Sequence, residues 1–248
     1  MEEKPSPSPS AAQRDLVVVP ATMTNREFLE RHARPGCIGL SGGTTLIDRA
    51  IARAERHVDP DERWSQWSHA FVFGERRADG WLWVIESDLK IHRKHIQLGV
   101  QENRVTKYHD EKLYTTLAVL DFGLPPEQVT KLLTTGLDLV ANRARYSLRE
   151  LLGTLIALRR PALRGRGNVL AREQCFFCSA FVQHLFRETG FDLTPGLHAK
   201  LTTPEDLART PAPHTAYVLQ REVATSKLRA LAGRLRRRVR LTRRRTAR

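Results

Sequence analysis

The sequence predicts an α+β fold, a small antiparallel sheet packed against helices. Three observations carry that expectation. Residues 68–73 and 81–85 are rich in aromatic and β-branched side chains and flank a loop containing Asp79-Gly80, which is the pattern of a hairpin. Residues 175–189 place apolar side chains at positions 178, 181, 182, 185 and 186, one continuous face of a helix. The remaining periodic segments mix helical and strand spacings without any internal repeat.

The elements follow in order. Residues 1–14 are rich in proline and serine and read as a disordered leader. Ordered sequence begins near the β-branched run Leu16-Val17-Val18-Val19. Residues 24–32 read as a helix, with Thr24 as its N-cap and Glu27 completing a capping box. Arg34-Pro35-Gly36 breaks the chain, and Cys37-Ile38-Gly39-Leu40 reads as a strand end entering a Gly42-Gly43 turn. Leu46, Ile47, Ala50, Ile51 and Ala54 have helical spacing, predicting a helix over 45–57.

After the hairpin, 114–120 is a strand closed by Gly123-Leu124-Pro125-Pro126, and 126–142 and 148–158 read as helices. Residues 159–168 form a loop. The helix over 175–189 ends at Gly190 in the C-cap position. Thr203-Pro204-Glu205-Asp206-Leu207 starts a short capped helix, and 216–219 is a last strand.

Charge divides the chain. The net charge is +14, but eleven of the 41 lysines and arginines lie in 226–248, a stretch without acids. Residues 1–225 therefore carry 30 basic against 27 acidic side chains, and the basicity is an appendage. The domain reading is a leader over 1–14, one globular domain over 15–225, and a basic amphipathic tail over 226–248. Leu228, Leu231, Leu235 and Val239 follow one another at helical steps in that tail. Such a segment suits an anionic membrane surface, or else any polyanion. The tail has no aromatic residue, so base stacking and specific nucleic-acid recognition are not supported.

Three cysteines, Cys37, Cys175 and Cys178, are too few for a disulfide framework and point to a reducing compartment. The N-terminal residues lack the apolar run of a secretory signal, and no 18-residue apolar window exists. The expected location is cytoplasmic, with peripheral attachment at the inner membrane surface if the tail serves as an anchor. No cofactor and no metal is expected.

Cys178 lies in the first turn of its helix at the edge of the apolar face, where the helix dipole favours a thiolate. The same position also suits a small apolar core residue. His69 begins the first hairpin strand, and a register in which paired residues sum to 155 sets Glu86 directly opposite it. A carboxylate then orients an imidazole that can deprotonate a thiol. Each residue alone has a structural reading; the three together make a catalytic set. Cys175-Phe176-Phe177-Cys178 also has the C-x-x-C form of a redox dithiol, although no βαβ pattern precedes it. His92 and His95 lie in a basic stretch that reads as a solvated face. His109, His184, His198 and His214 show no partner in the sequence.

Gly36-Cys37-Ile38-Gly39-Leu40-Ser41-Gly42-Gly43, Trp67-Ser68-His69-Ala70-Phe71-Val72-Phe73, Trp83-Val84-Ile85-Glu86-Ser87 and Phe177-Cys178-Ser179-Ala180-Phe181-Val182 follow one another in that order. Together they resemble the circularly permuted papain-like amidases (YaeF/YiiX-like), relatives of the NlpC-type cell-wall endopeptidases. In that family the histidine strand precedes the cysteine helix. Thr203-Pro204-Glu205-Asp206-Leu207 resembles a later family segment, and the likeness spans about 34–220. It implies a permuted papain-like fold with Cys178 as nucleophile on a helix N-terminus, His69 as general base and Glu86 as orienting group. Cys37 stands where the family usually has aspartate, and Phe176 where it usually has tyrosine. The backbone N–H of Cys178 is one implied oxyanion donor, with Gln174 a second candidate.

The implied chemistry is acyl transfer through a Cys178 thioester, cleaving an amide or ester of a peptide, a peptidoglycan fragment or a lipid. The lecithin:retinol acyltransferase relatives move acyl chains on the same scaffold, but the Asn-Cys-Glu-His signature of that branch is absent here. A binding module with an inert thiol is the other class. Presence of the cysteine, histidine and acid together favours the enzyme.

Overall fold

A strand whose successive side chains are all buried must be covered on both faces. The central strands of this chain are of that kind. The computed structural model describes residues 14–43, 66–92, 95–142 and 178–221. Within them run β1 (Arg14–Val18), α1 (Asn25–His32), β2 (Ile38–Gly43), β3 (His69–Arg76), β4 (Leu82–His92), β5 (His95–Arg104), a 3-10 turn (Val105–His109) and β6 (Tyr114–Asp121). There follow α2 (Pro126–Ala141), α3 (Cys178–Glu188), a 3-10 turn (Ala199–Leu201), α4 (Pro204–Ala208) and β7 (His214–Gln220). The seven strands form one sheet in the order β1-β7-β6-β2-β3-β4-β5.

The architecture is α+β, with a sheet larger than expected and mixed: β1 pairs β7 in parallel, and every other pairing is antiparallel. The additional strand is β5, and β4 runs well beyond the predicted segment. Leu89, Ile91, Ile96, Leu98 and Val100 alternate with polar residues through this stretch, a period-two pattern obscured by the basic residues of its turn. His92 and His95 pair at the turn end of this hairpin. Arg14, assigned to the leader, is the first residue of β1.

Side-chain alternation sorts the core into two layers. Ala70, Val72, Ile85, Ala118 and Leu120 meet Leu132 of α2 and Phe181, Val182, Leu185 and Phe186 of α3. Phe71, Phe73, Val84, Leu117 and Val119 turn the other way, onto Phe28 and Leu29 of α1 and Tyr108 of the 3-10 turn. The capping box at Thr24/Glu27 forms as the sequence predicts, and the capped start predicted at Thr203 proves to be a second box, closed by Asp206. Gly190 closes the turn after α3 at φ +85°.

Gly42 and Gly43 do not make a turn. Both belong to β2, with a register shift between them against β6. A Cβ on Gly42 would lie 2.0 Å from the Gln66 carbonyl oxygen, so only glycine fits there. The predicted helices at 45–57 and 148–158, the loop at 159–168, residues 1–13, Gln174, Cys175 and the basic tail lie outside the described residues. No described helix is long and apolar enough to cross a membrane.

Candidate active site

The ladder between β3 and β4 decides whether His69 and Glu86 share a face. Next to the turn, Arg76 pairs with Leu82; farther along, Phe73 pairs with Val84 and Val72 with Ile85. Three residues of β3 thus span two of β4, a bulge at Gly74-Glu75. Continued without the bulge, the Arg76/Leu82 register would set Glu86 opposite Val72, on the face away from His69. The bulge restores parity and sets Glu86 opposite Phe71, diagonal to His69. The expected register is therefore displaced by two residues. A slip of two leaves every side chain on its own face, and the contact forms: His69 Nε2 lies 2.7 Å from Glu86 Oε2.

Glu86 is fully buried, and donors from three further side chains converge on it. Tyr108 Oη donates to Oε2 at 2.6 Å, Asn103 Nδ2 to Oε1 at 2.6 Å, and Lys107 Nζ to both oxygens at 2.8 and 2.9 Å. Lys107 also reaches Asp88 Oδ2 at 2.6 Å. The Tyr108 ring is set by the sheet beneath it. Phe71 lies against Gly39, its cross-strand neighbour, where a Cβ would come within 2.1 Å of the ring. Tyr108 stacks on Phe71 with centroids 4.2 Å apart and planes 13° from parallel. The glycine thus fixes a phenylalanine, the phenylalanine a tyrosine, and the tyrosine the carboxylate.

Nε2 of His69 is engaged by Glu86, which leaves Nδ1 for the thiol of Cys178 at the start of the described part of α3. Cys178 also takes hydrogen bonds from the backbone N–H groups of Ala70 and Ser179. Ala70 lies past the last β3–β4 pair, Val72 with Ile85, so its N–H is clear of that ladder. Burial alone would raise the Cys178 thiol, but the His69 hydrogen bond and charge and the two amides outweigh it and lower its pKa. Burial likewise opposes charge on His69, yet its bonds to Cys178 and Glu86 push it up to about 10. Burial would also protonate Glu86; His69 and Lys107 hold it well below the usual carboxylate range. The arrangement favours a thiolate–imidazolium pair backed by a carboxylate.

The three residues singled out in the sequence are thus brought together, whereas Asn103, Lys107, Tyr108 and the Ala70 amide were not anticipated. One signal pointed toward a cation. Glu86 and Asp88 alternate on one strand, so two acids share a face and call for a counter-charge. Nothing in the sequence identified Lys107 as its source.

Cys37 is buried away from this set. Burial and the neighbouring Asp121 carboxylate push its thiol up to about 12. In the folded protein Cys37 is expected to resist alkylation at neutral pH and to react only after denaturation, as mass spectrometry would show. The histidines that lacked partners in the sequence have local ones. His109 packs edge-on to Trp81, His184 lies 3.9 Å from Glu188, the His198 side chain accepts from Lys200 N–H, and His214 Nδ1 lies 2.7 Å from the Ala212 carbonyl. Among the described residues, no group of three or more His, Cys, Asp or Glu side chains is placed to hold a metal ion.

No family model matches the chain, and no curated protein matches it. Among solved structures, the chain is similar to YiiX from Escherichia coli O157:H7, described as a metalloprotein and as DUF1105. The two are 15% identical, with a TM-score of 0.49, and the match covers 77% of this chain and 98% of that one.

Proposed function

We propose that this protein is a thiol hydrolase of the circularly permuted papain-like kind. It would cleave an amide or ester of a peptide, a peptidoglycan fragment or a lipid. The observation that carries the reading is the order Cys178, His69, Glu86. One imidazole nitrogen serves the thiol while the other is held at 2.7 Å by a fully buried carboxylate. The histidine strand precedes the cysteine helix in the chain, as the permuted arrangement requires.

In this reading the Cys178 thiolate attacks the carbonyl carbon, forming an S–C bond as the C–N or C–O bond breaks. The proton on His69 passes to the leaving group. Water then adds to the thioester carbon and gives a proton to the now neutral His69. The S–C bond breaks, the acid departs, and the thiolate–imidazolium pair is restored. The N–H of Cys178 is suited to the oxyanion, while the Ala70 amide supports the sulfur.

The test compares wild type with His69→Ala in iodoacetamide alkylation of Cys178, followed by mass spectrometry between about pH 5 and 9. A free thiol with a pKa of about 8.5 is only a few per cent thiolate at pH 7. Wild-type Cys178 is expected to react about tenfold faster than that thiol, after allowing for the lower nucleophilicity of a low-pKa thiolate. His69→Ala should remove the advantage. An activated aryl ester should then leave a transient acyl mass on Cys178. Reaction no faster than a free thiol would overturn the hydrolase and favour an inert binding module. Fast alkylation with ready disulfide formation to Cys175 would favour redox chemistry. Transfer of the acyl group to a lipid alcohol instead of water would favour an acyltransferase.

A further inference from the structure

Glu86 and Asp88 stand two residues apart on β4 and leave the same face. Lys107 spans both, with Nζ 2.8 and 2.9 Å from the Glu86 oxygens and 2.6 Å from Asp88 Oδ2. From the thiol outward, the site reads Cys178, His69, Glu86, Lys107, Asp88: anion, cation, anion, cation, anion. The proposed hydrolysis, on which this inference rests, takes His69 through two charge states. It is an imidazolium beside the thiolate and neutral once its proton has gone to the leaving group.

In the neutral state Glu86 would be a fully buried carboxylate facing an uncharged ring. A buried carboxylate without a counter-charge takes up a proton instead. Tyr108 cannot supply that charge; burial and Glu86 itself raise its hydroxyl well above its ordinary range, so it stays a neutral donor. We infer that Lys107 is a positioning residue that keeps Glu86 an anion in both charge states of His69. The proton of the cycle then moves between His69 and the substrate rather than between His69 and Glu86.

The charged and titratable groups around this chain come from several elements. His69 is faced by Cys178 of α3 and Glu86 of β4. Glu86 is faced by His69 of β3, the amide of Asn103 of β5, and Lys107 and Tyr108 of the 3-10 turn. Lys107 is faced by Glu86 and Asp88, and its ammonium lies 5.2 Å from the centre of the Tyr108 ring.

Lys107→Met removes the cation, so losing the His69 proton would strand the Glu86 charge. His69 should then hold its proton to a pH higher by roughly one unit. Asp88→Asn removes an anion, leaves Lys107 to act on Glu86 alone, and should move the same titration down. Lys107→Arg should stay near wild type. A merely structural role for the lysine stem would not shift one titration in opposite directions.

The readout is the His69 Cε1 NMR signal against pH, assigned by its loss in His69→Gln, with Cys178 alkylation followed in each protein. Opposite shifts support the inference. An unmoved titration in Lys107→Met, or shifts of the same sign in both variants, would overturn it. Should Lys107→Met fail to fold, absence of the downward shift in Asp88→Asn overturns it as well. Slow Cys178 alkylation in wild type overturns the hydrolase itself. Fast alkylation with unmoved titrations overturns only the part given to Lys107.

Discussion

Replacing Glu86 with glutamine is expected to lower the unfolding free energy by about 3–5 kcal/mol, the usual range when one member of a buried ion pair is removed. The side chain is fully buried and only accepts, and four side chains donate to it. Glutamine offers one accepting oxygen and one donating amino group, so one of the two oxygen positions must turn donor against donor. At the Oε2 position the amide nitrogen would oppose His69, Tyr108 and Lys107. At the Oε1 position it would oppose Asn103 and Lys107, and reversal of the Asn103 amide relieves half of that conflict. The second orientation is therefore the better one, and its residual cost is the Lys107 ammonium, left with Asp88. Urea denaturation at neutral pH measures the loss, and a value below about 1 kcal/mol would show that the carboxylate is not held as described. The same variant should lose part of the Cys178 alkylation advantage, because only the Cys178 hydrogen bond and charge are then left to favour the imidazolium.

The contact between His69 and Glu86 was legible for a reason narrower than the register that predicted it. The side-chain period of a strand is two, so an error of two in the pairing sum preserved the face, while an error of one would have hidden the pair. The bulge at Gly74-Glu75 makes that difference, and no turn signal in the loop around Asp79-Gly80 announces it. The helix caps at Thr24 and Thr203 were legible because each is a contact between residues three apart. The Glu86 cradle was not. Lys107 and Tyr108 reach the carboxylate from a 3-10 turn about twenty residues on, and the strand that delivers them, β5, was hidden behind a basic turn. Long-range polar contacts leave no periodicity in a sequence. What the sequence did hold was the demand for one, in two acids alternating on a strand.

The dyad should also write itself into the pH dependence of stability. His69 has a folded pKa raised from its ordinary 6.5 to about 10, so its contribution is complete below 6.5 and is lost as pH rises through about 10. Cys178 has a folded pKa lowered from its ordinary 9.0, so its contribution is complete above 9.0 and is lost as pH falls below it. Between 6.5 and 9.0 the folded thiolate–imidazolium pair and the unfolded thiol and imidazole bind one proton each, and the dyad adds no slope. Below 6.5 the unfolded chain binds one proton more than the folded dyad, and above 9.0 one fewer, so stability should fall on both sides. Other groups bend the same curve. Cys37, raised to about 12, adds to the alkaline fall, and His32, His109, His184 and His214, lowered chiefly by burial, add to the acid one. The decisive quantity is thus the difference between wild type and Cys178→Ala, in which those groups cancel. Below 6.5 that difference should climb with pH by about 1.4 kcal/mol per pH unit, the slope of one proton, and above 6.5 it climbs on toward pH 9 only as far as His69 keeps its proton without the thiolate. A flat difference below 6.5 would mean that the sulfur titrates alike in the folded and unfolded chain. Cys178 would then be a packing residue, and His69 and Glu86 an ion pair with nothing to activate.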